Sequence, residues 1–158
     1  MSATTPNPAP GPPGFGAPWL ALCAALAAHL ADEAHTGFLG VYNPTALEIR
    51  RRLGWSWWPP VFAFNDWLFG LLAAVLVLLV LAPLAFRNAR WLRPLAYGFA
   101  MLMIANGLGH TLGTIRGASF AAIRFPRPMP GFYSSPLLVA ASVWLMLRLR
   151  RSHSERRQ

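Results

Sequence analysis

The sequence predicts an all-α protein, a four-helix transmembrane bundle with a short interfacial helix between the first two spans. Three observations carry that expectation. The 158-residue chain is 55% hydrophobic and only 12% charged, about half the ~25% charge of an ordinary soluble domain. Its apolar residues fall into four runs separated by arginine-bearing loops. A backbone surrounded by lipid must also satisfy its own hydrogen bonds, which a helix does within a single segment.

Residues 1–17, "MSATTPNPAPGPPGFGA", are rich in proline and glycine and carry no positive side chain. They read as a disordered tail rather than a signal peptide. The membrane domain is expected over 18–150, followed by a basic tail at 151–158. The first span runs from Trp19 to about Leu39 and is interrupted by a polar cluster. Cys23 inside it reads as a small packing residue, since a lone cysteine has no internal partner. The second span, 61–86, is the least ambiguous and exceeds the ~20 residues a hydrocarbon layer requires. The third covers about Pro94 to Ile115 and carries Gly109, Gly113 and Gly117 at four-residue spacing, a face suited to close helix packing. The fourth, about Pro136 to Leu149, is short, and "LRLRR" can extend it with arginines reaching the interface.

Between the first two spans, Asn43 is placed to cap a helix over Asn43–Leu53 with Pro44 at its first position. Glu48 and Arg52 are spaced to pair at i,i+4. Trp55, Trp57 and Trp58 then read as an interfacial aromatic belt. All 14 basic residues are arginines, for a net charge of +9. Their confinement to loops between apolar runs points to membrane lipids as partners and away from nucleic acid. Eight lie on the side of the two termini and six on the other, which places both termini in the cytoplasm of a multi-pass integral membrane protein. Nothing in the pattern specifies an oligomeric state.

The stretch "AAHLADEAHTGF" puts His29, Asp32, Glu33 and His35 into the first span. In a helix His29, Asp32 and Glu33 share one face, and Asn106 and His110 repeat the i,i+4 spacing on the third span. His35 points elsewhere, within reach of Asp32. At ~1.5 Å rise per residue, His29 and Glu33 lie ~15 and ~21 Å from one membrane face, and Asn106 and His110 ~18 and ~24 Å. Asn65 and Asp66, at the start of the oppositely directed second span, fall at ~21 Å from the same face. The loop "RFPRPMPGFYSSP", with Tyr133, ends there too. One interior cluster is therefore expected, with Asn65 and Asp66 at its edge. A carboxylate near the bilayer centre costs ~2.5–3.5 kcal/mol even on a lenient scale. The adjacent acids need a shared proton or a counter-charge. Two imidazoles and two or three carboxylates form a donor set suited to a divalent metal such as zinc, iron or manganese. No arginine falls at that depth, and no serine–histidine or cysteine–histidine pairing is legible.

In order along the chain, "HLADE", "HTGFLGVYNP", the "FN" opening the second span, "NGLGH" and "YSSP" resemble the HXXEE-motif membrane proteins. The likeness covers roughly residues 18–149. It implies a four-helix integral membrane protein whose polar residues near the helix ends form an active site, for an activity not established in the family. The motif falls on His29, Asp32 and Glu33, and later positions on Asn65, Asn106, His110 and Tyr133. Two departures stand out. Asp32 occupies the place of the first glutamate, and "MPGFYSSP" sets glycine before the tyrosine.

The chemistry expected first is that of a metal-dependent membrane enzyme acting on a lipid or other apolar small molecule. His29, Glu33 and His110 would be its ligands, and Asp32 or Asp66 a fourth ligand or general base. Asn106 and Asn65 would orient ligands, with His35 and Tyr133 in support. The alternatives are a metal-free acid/base or proton-relay site, as in an isomerase or a proton-coupled transporter, and a structural subunit whose cluster sets helix register.

Overall fold

The computed structural model describes residues 14–118 and 123–154, with side chains through Arg151. Residues 1–13 and 155–158, which hold most of the expected N-terminal tail and half of the C-terminal one, lie outside the described residues. The described chain is all-α: α1 (Gly16–Thr36), α2 (Leu39–Leu53), α3 (Phe64–Val80), α4 (Ala82–Phe86), α5 (Leu92–Arg116) and α6 (Ser135–Ser154). One isolated bridge, Ala118 with Arg124, is the only extended pairing among the described residues.

Helix α1 begins inside the stretch expected to be tail, and Phe15 before it is buried. Its inward stripe is Trp19, Leu22, Cys23, Leu30 and, on the same stripe, His29 and Glu33, the i, i+3, i+4 recurrence of one helix face. The helix stops at Gly37, whose φ of 77° lets the chain turn left-handed at little cost to a residue without a Cβ. Helix α2 then starts at Leu39, four residues before the expected cap. Pro44 sits within it, and Asn43 does not cap it. Instead the Asn43 amide donates to the carbonyl of Phe62 at 2.9 Å and its oxygen accepts from the Phe62 N–H at 3.1 Å, tying α2 to the entrance of α3. Glu48 pairs with Arg52 as expected, and with Arg51 one residue nearer.

The second apolar run is divided into α3 and α4 just ahead of Pro83, which has no N–H to continue the ladder. There the indole of Trp19 donates to the carbonyl of Leu78 at 2.8 Å. Trp19 also meets Phe99 edge-on, with centroids 5.7 Å apart. Around it lie Phe15, Leu22, Cys23, Ala85, Leu92, Ala96, Ala100 and, from α6, Leu138, Leu145 and Leu149. Helix α6 packs on α5 and α1, and α1 also packs on α3 and α4.

The close approach of α5 and α6 occurs at Gly107, where a Cβ would stand 2.7 Å from Val139 Cγ2 and 3.1 Å from the Ser135 carbonyl oxygen. Gly109, expected as a packing glycine, faces open space. Gly113 does lie against a neighbour, the thioether of Met129, and Gly117 ends α5 with φ 66° beside the Arg127 guanidinium. Two helical stretches among the described residues are long and apolar enough to cross a membrane: Phe64–Phe86, mean hydropathy 2.8, and Leu92–Arg116, mean hydropathy 1.2.

Candidate functional site

The inward stripes of α1 and α5 are apolar through their first halves and turn polar at the same level. His29, Glu33 and His110 are all buried there. Glu33 Oε1 lies 3.1 Å from His110 Nε2 and 3.5 Å from His29 Nε2. The two imidazoles meet edge-on with centroids 4.8 Å apart. One donor atom from each residue falls within 4.8 Å of the others, a group that could hold a metal ion.

Asn106 stands between the two rings. Its Oδ1 lies 2.9 Å from His110 Nε2 and its Nδ2 3.3 Å from His29 Nε2. The remaining nitrogen of His29, Nδ1, lies 2.8 Å from Ser134 Oγ. That hydroxyl donates to Asp32 Oδ2 at 2.8 Å, and the Ser134 N–H donates to the same oxygen at 2.9 Å. With its proton committed to Asp32, Ser134 Oγ accepts from Nδ1–H. The neutral imidazole then carries its lone pair on Nε2, facing Glu33 and Asn106.

Residues 127–134, ahead of α6, form the lid over this cluster. Arg127 donates to the carbonyls of Ile115 and Arg116 at the end of α5, where exposed carbonyls and the helix dipole favour a cation. The Met129 N–H donates to Thr114 Oγ1 at 3.0 Å, and the Gly131 N–H to Thr36 Oγ1 at 3.3 Å. Gly131, at φ 82°, then passes so close that a Cβ would stand 2.9 Å from His110 Cε1 and 3.0 Å from Glu33 Cγ. Only a residue with no side chain fits both the dihedral and the space.

The expected residues divide cleanly. His29, Glu33, His110 and Asn106 converge. Asp32 reaches the cluster only through Ser134, as an orienting group rather than a neighbour of the two Nε2 atoms. Asn65 and Asp66 are exposed in the first turn of α3, and among the described residues no hydrogen bond or ion pair joins them to the cluster. The inward face of α3 is set by Trp67 and Val75, and at ~100° per residue Asp66 and Asn65 are turned ~100° and ~200° away from Trp67. His35 is exposed and makes no pair with Asp32, whose carboxylate Ser134 has taken. Tyr133 is 70% exposed and points outward, against Phe132.

The sequence reading missed Ser134, which creates the serine–histidine contact that no spacing announced, and Gly131. "GFYSSP" carried both, but only the fold brings them to α1, about a hundred residues away. Phe38 was missed as well. Its ring lies 5.7 Å from that of His110, 5.6 Å from Tyr42 and 6.0 Å from Trp67.

Comparison with protein-family models, with curated proteins and with solved structures finds no match. Fold and site together define an all-α protein, two of whose helical stretches are apolar enough to cross a membrane, with a buried His–Glu–His group.

Proposed function

We propose that the chain is a four-span integral membrane protein whose His29–Glu33–His110 group holds a divalent transition metal and acts on a lipid or other apolar molecule. The observation that carries this reading is the convergence of three buried donor atoms from two helices within 4.8 Å. Two imidazole nitrogens and a carboxylate oxygen suit zinc, iron or manganese. The Asp32–Ser134–His29 chain supplies the outer hydrogen bond that commonly orients a ligating histidine. The likeness of "HLADE", "NGLGH" and "YSSP" to the HXXEE-motif proteins supports the four-span placement and leaves the chemistry to the site itself.

The four-span reading draws on the outward surface. Leu72, Leu76 and Val80 of α3, Leu102, Leu112 and Ile115 of α5, and Leu137, Trp144 and Leu147 of α6 are all exposed, an apolar exterior fit for lipid rather than water. Helix α2, with Glu48 and three consecutive arginines, lies at the interface beside Trp55, Trp57 and Trp58.

A metal bound at the group would supply Lewis acidity. The chain's own residues do the rest. Ser134 and Asp32 keep the His29 proton on Nδ1 and leave its Nε2 free to ligate, Glu33 would supply the carboxylate oxygen of the donor set, and the Gly131 lid keeps bulk water from them.

A second reading has its own support. Without a metal, Asn106 donates to His29 Nε2 and accepts from a proton on His110 Nε2, which completes a bridge between the rings. His110 Nδ1, buried and without a hydrogen-bond partner, would then be a bare lone pair. That is a smaller loss than an orphaned N–H. This arrangement is a metal-free acid/base or proton-relay site.

Metal analysis of purified protein separates the two. The metal reading expects about one equivalent of zinc, iron or manganese in the native chain and its loss in His29→Ala and His110→Ala. Substoichiometric metal, unchanged by either substitution, would establish the metal-free site.

A further inference from the structure

A cavity of about 300 Å³ lies directly outside the cluster. Its floor includes Asn106 and His110, and its walls include Phe38, Val41 and Phe125. The volume is at the lower end of the ~300–1,000 Å³ typical of small-molecule sites, and the composition, apolar walls with a few converging polar groups, is that of a binding site.

Its mouth is lateral. Ala105 and Gly109, on the α5 side of the cavity, are exposed, and beyond Gly109 lies open space. Helices α2 and α5 do not pack along their length. The opening therefore faces the same surroundings as the apolar outer surface of α5 rather than either end of the molecule. Asn106 sets the polarity of the floor. One of its two amide hydrogens goes to His29 Nε2, and the second can be donated to an acceptor entering from the cavity. His110 beside it is 3% exposed and has a buried Nδ1 without a partner.

From these features we infer that the cavity binds an apolar, membrane-dissolved molecule carrying one carbonyl or hydroxyl oxygen, which enters between α2 and α5 and sets that oxygen against Asn106 and His110. The inference rests on the site reading above and adds its substrate class and route. An alkane would fill the walls and offer no acceptor to the second amide hydrogen of Asn106. A polyol or a charged molecule would bring more polar atoms than the floor can pair, and their desolvation would oppose entry.

The test uses the full-length chain in phosphatidylcholine vesicles and a medium-chain methyl ketone bearing a photoreactive diazirine, with labelled peptides mapped by mass spectrometry. Label is expected on residues 38–45, 105–110 and 125–129. The unlabelled ketone should displace the probe at about tenfold lower concentration than the matching alkane, the worth of one net hydrogen bond. Gly109→Trp, which fills the mouth without touching the floor, should lower labelling at least about tenfold, and Asn106→Leu should erase the preference for ketone over alkane.

Label spread along Leu72, Leu76 and Val80 irrespective of variant would overturn the inference, as would equal competition by ketone and alkane in the native chain. Metal content is measured on the same samples. Metal retained with no cavity labelling refutes the ligand site alone, and cavity labelling without metal refutes the metal reading alone.

Discussion

Ser134 illustrates how one hydroxyl can set the chemistry of a site it does not enter. Its hydroxyl donates a hydrogen bond to Asp32, which leaves its oxygen to accept one from His29 Nδ1–H and turns the Nε2 lone pair toward the cluster. Ser134→Ala removes both bonds and frees the ring to rotate or change tautomer. Metal affinity should fall ~10–100-fold, the usual cost of losing an outer-shell partner. Nitrogen NMR of the His29 ring should show Nδ1 losing its protonated signature in the metal-depleted protein, a change that mere loosening of the loop would not produce. Unchanged affinity and an unchanged tautomer would mean that Ser134 only anchors α6. Asp32 belongs to the same account. Adjacent to Glu33 in sequence, it is only partly buried and bonded to the start of α6, while Glu33 is 5% exposed between two imidazoles. Two neighbouring carboxylates have thereby been given different tasks.

At the level of elements, Gly107 and Gly109 make a controlled pair. Both are on α5, two residues apart, yet a side chain at Gly107 collides with Val139 and the Ser135 carbonyl while one at Gly109 meets nothing. Gly107→Leu should cost about 1–3 kcal/mol through overpacking, read as a lowered denaturation midpoint in detergent, and Gly109→Leu should leave that midpoint nearly unchanged. Equal effects would show that the α5–α6 contact is not where the structure places it. Helix α2 makes a different kind of prediction. The Arg51 and Arg52 guanidiniums beside Glu48 hold its carboxyl at a pKa of about 2. Because the folded value lies below the unfolded one, near ~4.3, the ion pairs support α2 above the unfolded pKa. That support fades as pH falls toward about 2. The Glu48 side chain is partly exposed, at 21%, and its partners Arg51 and Arg52 are more so, at 71% and 43%, so the support is small and screened by salt. A carboxyl NMR titration should place the Glu48 midpoint near 2, and one at or above ~4 would show that the pairs do not persist in solution.

On the scale of the whole molecule, the polar groups are distributed by end. The cluster, its lid, α2 and the tryptophan segment lie toward one end. The other end carries Arg87, Arg90, Arg93, Arg148, Arg150 and Arg151 around the turn into α5 and the end of α6. Arg50, Arg51, Arg52, Arg116, Arg124 and Arg127 lie at the first end, and on the four-span proposal only the eight-to-six excess of arginines over the whole sequence would place the second end on the cytoplasmic side. Single cysteines in place of Ser56, Arg90 and Arg151, in a chain whose native Cys23 is buried, test this with an impermeant thiol reagent on intact cells. Ser56→Cys should label directly, and Arg90→Cys and Arg151→Cys only after permeabilisation. Labelling of Ser56→Cys and Arg90→Cys from the same side would show that α3–α4 does not cross. Labelling of Arg151→Cys from the side opposite Arg90→Cys would overturn the paired placement of the last two helices.

The sequence by itself determined the helical class, the bounds of the main helices to within a few residues, and the level at which polar groups gather. Periodicity and length are properties of single segments, and rise per residue is a reliable ruler along an axis. By that ruler His29, Glu33, Asn106 and His110 were correctly placed together. The same ruler placed Asn65 and Asp66 with them and was misleading, because depth says nothing about rotation. Helix α3 turns Trp67 inward, and that choice depends on what α1 offers it to pack against. Asp32 could not be told from Glu33 while the partner of each was unknown. Ser134 and Gly131 come from a loop whose course is set by hydrogen bonds to Thr36 and Thr114 on two different helices. Which residues face one another across helices is a property of their packing, and only the tertiary structure decided it.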